Sequence, residues 1–317
     1  MAEGALVDRL DQAVEAILAR KDATAALADP ELARLVVTAA EVRHCPDPAF
    51  RARLRANLER RTTMTAALAT TGIREGFTTI TPFVTVREAG LLDFLVQVFG
   101  AEQTGVTPHH PPGLHREVRV GTSMMMISEG LAGVAIRPAV FHVYVEDVDA
   151  VFARALAAGG ESLAAPEDRP YGERSGYVKD PFGNHWYIAT HLGPSYIPEG
   201  FRTVTPFVHP KGVSAYIEFL KQAFGAVEEF RHASGGLVMH ARIRIGNGHV
   251  EMGDTQGAAD PMPSGFYLYV GDPDIIYQQA ITAGAKAVVP VADQPYGDRM
   301  GAVEDSMGHS WLIARSA

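Results

Sequence analysis

Histidines, arginines and a few acids are the residues of this chain whose types and spacing could do chemistry. His142 shares one face of a predicted strand with Val140 and Tyr144, because successive strand side chains alternate between faces. An imidazole there can move a proton, bind a ligand or coordinate a metal, or it can simply be a hydrogen-bonded, half-exposed side chain. His115 and His240 recur at matching places in the two halves of the chain, which points to shared structure more than to shared chemistry. His109, His110 and His115 could gather a metal adventitiously, but Pro108, Pro111, Pro112 and Gly113 around them read as a surface loop. Arg174 and Arg299 recur in a tyrosine-glycine-acid-arginine turn that begins at Tyr171 and Tyr296. A guanidinium fork could grip a carboxylate or phosphate there. The preferred alternative pairs each arginine with Glu173 or Asp298, or with Asp180 or Asp305, and so holds a hairpin. Met124 and Met126 share a strand face, and methionine adapts to irregular apolar ligands as readily as it packs a core. Nucleophilic catalysis has no support: there is no glycine-flanked serine elbow, and Cys45 beside His44 is adjacency in sequence only.

The elements that must position these residues come twice. Gly76-Phe77-Thr78-Thr79-Ile80-Thr81-Pro82-Phe83-Val84 returns as Gly200-Phe201-Arg202-Thr203-Val204-Thr205-Pro206-Phe207-Val208. At an offset constant to within one residue, Phe99-Gly100-Ala101, Phe141, Asp180 and Trp186 return as Phe224-Gly225-Ala226, Phe266, Asp305 and Trp311. The period far exceeds that of stacking repeats, so a whole domain is duplicated. In the first copy Thr79 to Val86 reads as a strand, Leu91 to Phe99 as a helix closed by Gly100, and Glu117 to Val120 and Ser123 to Ile127 as strands. Phe141 to Val145 is then a strand and Asp149 to Ala158 a helix capped by Asp147 or Asp149. A hairpin follows through Asp180-Pro181-Phe182-Gly183 to Trp186-Tyr187-Ile188, with Trp186 and Trp311 filling core space. Residues 1–71 differ, with three helical stretches broken at Pro30 and at Pro46-Asp47-Pro48. The third carries Arg51, Arg53, Arg55, Arg60 and Arg61, a solvated or domain-facing face or else a partner-binding one.

With 317 residues the chain exceeds one ordinary domain. Its net charge of −9 is spread along the sequence, which argues against nucleic acid or an anionic membrane as the main partner. A single cysteine excludes an intrachain disulfide, and no apolar run reaches the length of a membrane span or a signal core. The expectation is a soluble, cytoplasmic protein.

Thr81-Pro82-Phe83, Phe99-Gly100-Ala101-Glu102, Val145-Glu146-Asp147-Val148-Asp149-Ala150, Tyr171-Gly172-Glu173-Arg174 and Asp180-Pro181-Phe182-Gly183-Asn184-His185-Trp186 closely resemble the vicinal-oxygen-chelate (glyoxalase, bleomycin-resistance, dioxygenase) superfamily. The pattern looks like its metal-poor, PhnB-like branch. The second copy keeps Tyr296-Gly297-Asp298-Arg299 and Asp305-Ser306-Met307-Gly308-His309-Ser310-Trp311. The resemblance implies an α+β fold of tandem glyoxalase-type domains, residues 72–193 and 194–317, after the helical region 1–71. Each domain would hold two βαβββ modules enclosing a cup, and the tandem domains would pair within the chain as a pseudo-dimer.

In metal-dependent members one residue from the first and last strand of each module holds a divalent metal. Those positions fall here near Thr81, Met126, Val140 and Tyr187, and near Thr205, Glu251, Gly265 and Leu312. Glu251 alone is of ligand type, and one carboxylate does not hold a catalytic metal. A two-residue slip of register would keep the face and bring in His142, or His249 beside Glu251. No cofactor is therefore expected, Glu251 being the one metal or catalytic position. The leading expectation is a metal-independent small-molecule binding protein for an antibiotic-like or cationic aromatic ligand. Its ligand would be bound by His142, Tyr144, Tyr187, Arg174, Tyr267, Tyr269 and Arg299. One alternative is a metal-dependent glyoxalase-like lyase, isomerase or dioxygenase using Glu251. Another is a ligand sensor whose helical leader docks a partner.

Overall fold

A computed structural model describes Ala67 and residues 73–109, 113–130, 135–254 and 262–316; the predicted leader helices lie outside the described residues, Ala67 apart. Four βαβββ modules follow one another. The first is β1 (Ile80–Val86), α1 (Leu91–Phe99), β2 (Glu102–His109), β3 (Gly113–Val120) and β4 (Ser123–Glu129). The second is β5 (Val140–Tyr144), α2 (Val148–Ala157), β6 (Glu161–Arg169), β7 (Glu173–Lys179) and β8 (His185–His191). The third is β9 (Val204–Val208), α3 (Val213–Phe224), β10 (Val227–Ser234), β11 (Leu237–Ile245) and β12 (Gly248–Met252). The fourth is β13 (Gly265–Tyr269), α4 (Pro273–Thr282), β14 (Lys286–Asp293), β15 (Arg299–Glu304) and β16 (Ser310–Arg315).

Local chemistry sets the element ends. Gly100 takes the left-handed conformation after α1 and donates its amide back to Val96 O. The Asp147 carboxylate caps α2 by accepting the Ala150 amide at 3.0 Å, and Asp272 caps α4 through Ile275 with Pro273 behind it. In the turns before β8 and β16, Asp180 and Asp305 accept the indole N–H of Trp186 (2.9 Å) and Trp311 (2.8 Å). Those tryptophans are buried under the sheets, as their sequence context predicts. β2 falls where proline and histidine pointed to a loop; it pairs antiparallel with β3 across a bulge near Gln103.

The modules share two kinds of partnership. Modules one and two pack their helix-side faces into one hydrophobic core with α1 and α2, from Val84 and Leu91 to Trp186 and Ile188. Modules three and four do the same around α3 and α4, from Val208 and Tyr216 to Trp311 and Ile313. The sheets join otherwise. β5 pairs antiparallel with β9, Val143 opposite Val204, so modules two and three make one eight-stranded sheet. β1 pairs antiparallel with β13, Ile80 opposite Leu268, so modules one and four make the other. Each repeat thus owns most of a core, and each eight-stranded sheet belongs to both repeats. The expected cup inside a single repeat is corrected accordingly. The first strand of each module thereby satisfies its edge amides and carbonyls on the first strand of a module in the other repeat.

Candidate functional site

The sheet of modules two and three brings chemistry together on the face turned away from its helices, here called the inner cup. Alternation along β5 turns Phe141 and Val143 onto the helices and leaves His142 and Tyr144 facing the cup. On β12, Glu251 lies on that face while Val250 and Met252 join the core. Glu173 begins β7, and His240 lies on β11.

Hydrogen bonds and one ion-pair contact link these side chains into a chain. His142 Nδ1 lies 2.9 Å from Glu251 Oε2, and His142 Nε2 lies 3.5 Å from Glu173 Oε2. The other oxygen of Glu251 meets His240 Nε2 at 3.0 Å, and Tyr144 donates its hydroxyl to Glu173 at 2.7 Å. Glu251, Tyr144 and His142 are buried, whereas the His240 side chain is 38% exposed and carries the chain to solvent. Burial alone would push His142 towards neutrality, but the two carboxylates outweigh it and raise its pKa to about 10. Burial would likewise favour a neutral Glu251; His142 and then His240 outweigh it and hold its pKa near 2. Glu173 is also lowered, its hydrogen bond to His142 overcoming burial. The result is an imidazolium clamped between two carboxylates.

Aromatic rings surround it. His142 packs on Tyr144 at 4.4 Å, and Tyr144 meets Phe201 edge-on at 5.5 Å. Tyr187, opposite His142 in register, stacks on Tyr177 at 4.1 Å and leans on Phe207. His240 lies parallel to Phe207.

The sheet of modules one and four carries the equivalent outer cup, with different contents. Tyr267 and Tyr269 replace His142 and Tyr144, Met126 replaces Glu251, and Asp298 replaces Glu173. Phe77, Met126, Tyr267, Tyr269 and Ala314 form a buried apolar cluster joined by Ile73, Phe83, Met124, Met300 and Leu312. Arg74 lies over Phe77 and is ion-paired with Glu117, so the segment before β1 occupies this cup.

The expected site residues divide accordingly. His142, Tyr144, Tyr187 and Glu251 meet in the inner cup, and Tyr267 and Tyr269 lie in the outer one. Arg174 and Arg299 point the other way. Each follows a cup-facing acid by one residue, so alternation turns it onto the helix side. There Arg174 is forked by Asp149 at 2.7 Å and bonded to Asp168 at 3.1 Å, and Arg299 binds Asp274 and Asp293 likewise. Both arginines are thus paired, with partners other than the turn acids that their sequence context suggested. The neighbour of Arg174, Glu173, is the residue that enters the cluster, and its place in a recurring turn was the available signal. His240 joins it through recurrence of a position first read as structural.

A family metal would meet Thr205, Glu251, His142 and Tyr187 here, the register lying two residues from Val140. This donor set does not fit one. Both ring nitrogens of His142 and both oxygens of Glu251 are committed to one another's cluster, and among the described residues no three histidine, cysteine or acid side chains are disposed around one point. In the outer cup the equivalent positions, Thr81, Met126, Tyr267 and Leu312, offer no ligand of that kind.

Comparison with known proteins gives the same architecture. The crystal structure of glyoxalase I from Zea mays superposes with a TM-score of 0.59 at 12% identity, covering 74% of this chain and 92% of that one. An uncharacterized protein of Mycobacterium bovis is 34% identical over 123 residues, which are 34% of this chain and 80% of that protein. From the same organism, "Putative glyoxylase CFP32" is 24% identical over 197 residues, covering 57% of this chain and 71% of its own length. No described helix is long and apolar enough to cross a membrane. The Glyoxalase/Bleomycin resistance protein/Dioxygenase superfamily model matches residues 89–188 and again 210–313, so the chain belongs to that superfamily, with two tandem domains.

Proposed function

We propose that the protein is a metal-independent small-molecule binding protein whose ligand enters the inner cup. The observation that carries this reading is the Glu251–His142–Glu173 clamp, in which the groups that would face a metal satisfy each other. An apolar, aromatic-walled concavity with a few fixed polar groups is the usual form of a ligand site. Tyr144, Tyr187 and Phe207 supply the walls, and the clamp with the partly exposed ring of His240 supplies the fixed polar groups. The test is elemental analysis of the full-length protein after incubation with Ni, Zn, Mn and Fe(II) and removal of excess metal. Retention well below one equivalent is expected, and ligand binding should survive chelators. Near-stoichiometric retention that disappears in Glu251→Gln would overturn the reading.

A second reading draws on the chain of hydrogen bonds and an ion-pair contact from Tyr144 through Glu173, His142 and Glu251 to the partly exposed ring of His240. Such a chain connects a buried acid–base pair to solvent and suits proton transfer in a lyase or isomerase. Turnover that falls a hundredfold or so in both His142→Asn and Glu251→Gln, with binding retained, would favour it over simple binding. The sensor role for the leader falls outside the described residues.

A further inference from the structure

We infer that the inner cup is built for a ligand bearing an anionic group, carboxylate or phosphate, and that Arg242 reads that group. This rests on the inner cup being the ligand site. Arg242 lies on β11 opposite Glu251 in the β11–β12 register and so faces the same cup. Its guanidinium carbon lies 4.5 Å from the centroid of the Phe201 ring, and that ring is the one that meets Tyr144. The planar cation is therefore held flat at one end of the aromatic wall that leads to His142.

What the guanidinium lacks is a committed acceptor. Glu229, the one carboxylate ion-paired with it among the described residues, is shared three ways. Glu229 Oε1 takes Arg244 Nε at 2.8 Å, and Oε2 lies 3.2 Å from both His249 Nε2 and Arg242 Nε. The approach to Arg242 does not make a hydrogen bond: its Nε is buried and unsatisfied among the described residues. Two guanidinium groups and an imidazole thus face one carboxylate. A buried N–H donor without an acceptor costs free energy that a ligand oxygen would recover, and a planar fork suits carboxylate and phosphate alike. The outer cup gives the contrast. The position equivalent to Arg242 is Glu117, which the chain itself neutralises with Arg74. Of the two cups, the inner one offers a ligand an underused cation among the described residues, and this favours an anionic ligand over the cationic aromatic one expected from the sequence.

The experiment titrates the full-length protein with benzoate, phenyl phosphate, benzyl alcohol and benzylammonium, followed by calorimetry and by NMR shifts at the cup aromatics. Benzoate or phenyl phosphate should bind about tenfold more tightly than the neutral and cationic probes, the order of the two anions telling carboxylate from phosphate. In Arg242→Gln that preference should vanish at an unchanged melting temperature, and Arg242→Lys, which keeps charge but not the fork, should fall between. A preference for benzylammonium, or anion binding untouched in a folded Arg242→Gln protein, would overturn the inference and leave the ligand cup standing. Failure of all four probes to bind would remove the ligand cup and the inference with it.

Discussion

At the scale of single residues, the clamp around His142 makes a pH signature. The folded-state pKa of His142, about 10, lies above its ordinary value of 6.5, so its contribution to stability is complete below 6.5 and is lost as pH rises through 10. That of Glu251, about 2, lies below its ordinary 4.5, so its contribution is complete above 4.5 and is lost as pH falls towards 2. The pair therefore stabilises most between these ordinary values. Denaturant unfolding across pH should show stability declining from pH 6.5 towards 10, and His142→Asn should flatten that limb. The same substitution should cost about 3–5 kcal/mol near pH 6, because it strands a buried carboxylate. A variant with the full alkaline slope would show that His142 is not the cation of the clamp. Part of this was legible in sequence. The face shared by His142 and Tyr144 followed from alternation, and Glu251 from position. That the two touch did not, because they lie in different repeats and no local pattern reports on such a contact.

Among the elements, the hairpin turns show why the repeats cannot shift past each other. Gly121, between β3 and β4, has a φ of +54°, and a Cβ there would lie 2.2 Å from Thr203 Oγ1. Gly246, between β11 and β12, mirrors it with a φ of +56° and Thr79 Oγ1 at 2.1 Å. Thr203 in turn accepts the Thr122 amide at 2.9 Å, and Asn247 accepts the Thr79 amide at 2.8 Å. Each turn of one repeat thus seats the strand entry of the other. Gly121→Ala or Gly246→Ala should destabilise by about 1–3 kcal/mol, since strain and collision add. Equilibrium denaturation checks this; a neutral effect would mean that the seam yields freely. The elements themselves were largely readable from strand alternation, helix caps and glycine stops. β2 was not, since its Pro108 and His109 suggest a loop and only pairing with β3 makes it a strand. Arg174 and Arg299 lie on the helix side for a related reason: a one-residue step from Glu173 or Asp298 reverses the face.

For the whole molecule, cores and cups divide the chain differently. Residues 72–193 supply nearly all of one core, which Val204 completes, yet only half of each cup; residues 194–317 supply the other core, which Ala67 and Ile80 complete, and the remaining halves. Expressed alone, residues 72–193 should not remain monomeric, because β1 and β5 would both present bare strand edges. Light scattering should show a dimer or larger species, and adding residues 194–317 should convert it to a one-to-one pair that recovers ligand. A stable monomer would mean that the sheets can close within one repeat. The duplication announced two similar units, but it is silent on which modules join, because either arrangement buries the same residues.

That crossed pairing also bears on how the protein is made. The halves of the inner cup are neighbours in sequence, β5 to β8 followed by β9 to β12, whereas the outer cup joins β1–β4 to β13–β16 at the far end of the chain. Loop closure is less costly for the near pair, and chains are synthesised from the N-terminus. As the polypeptide leaves the ribosome, the inner cup has all its strands once β12 has emerged. β1 must wait, its edge bare, until β13 arrives. The apolar filling of the outer cup, with Phe77 and Ile73 folded over Tyr269 and Met126, lies where a nascent chain would need cover for the longest time.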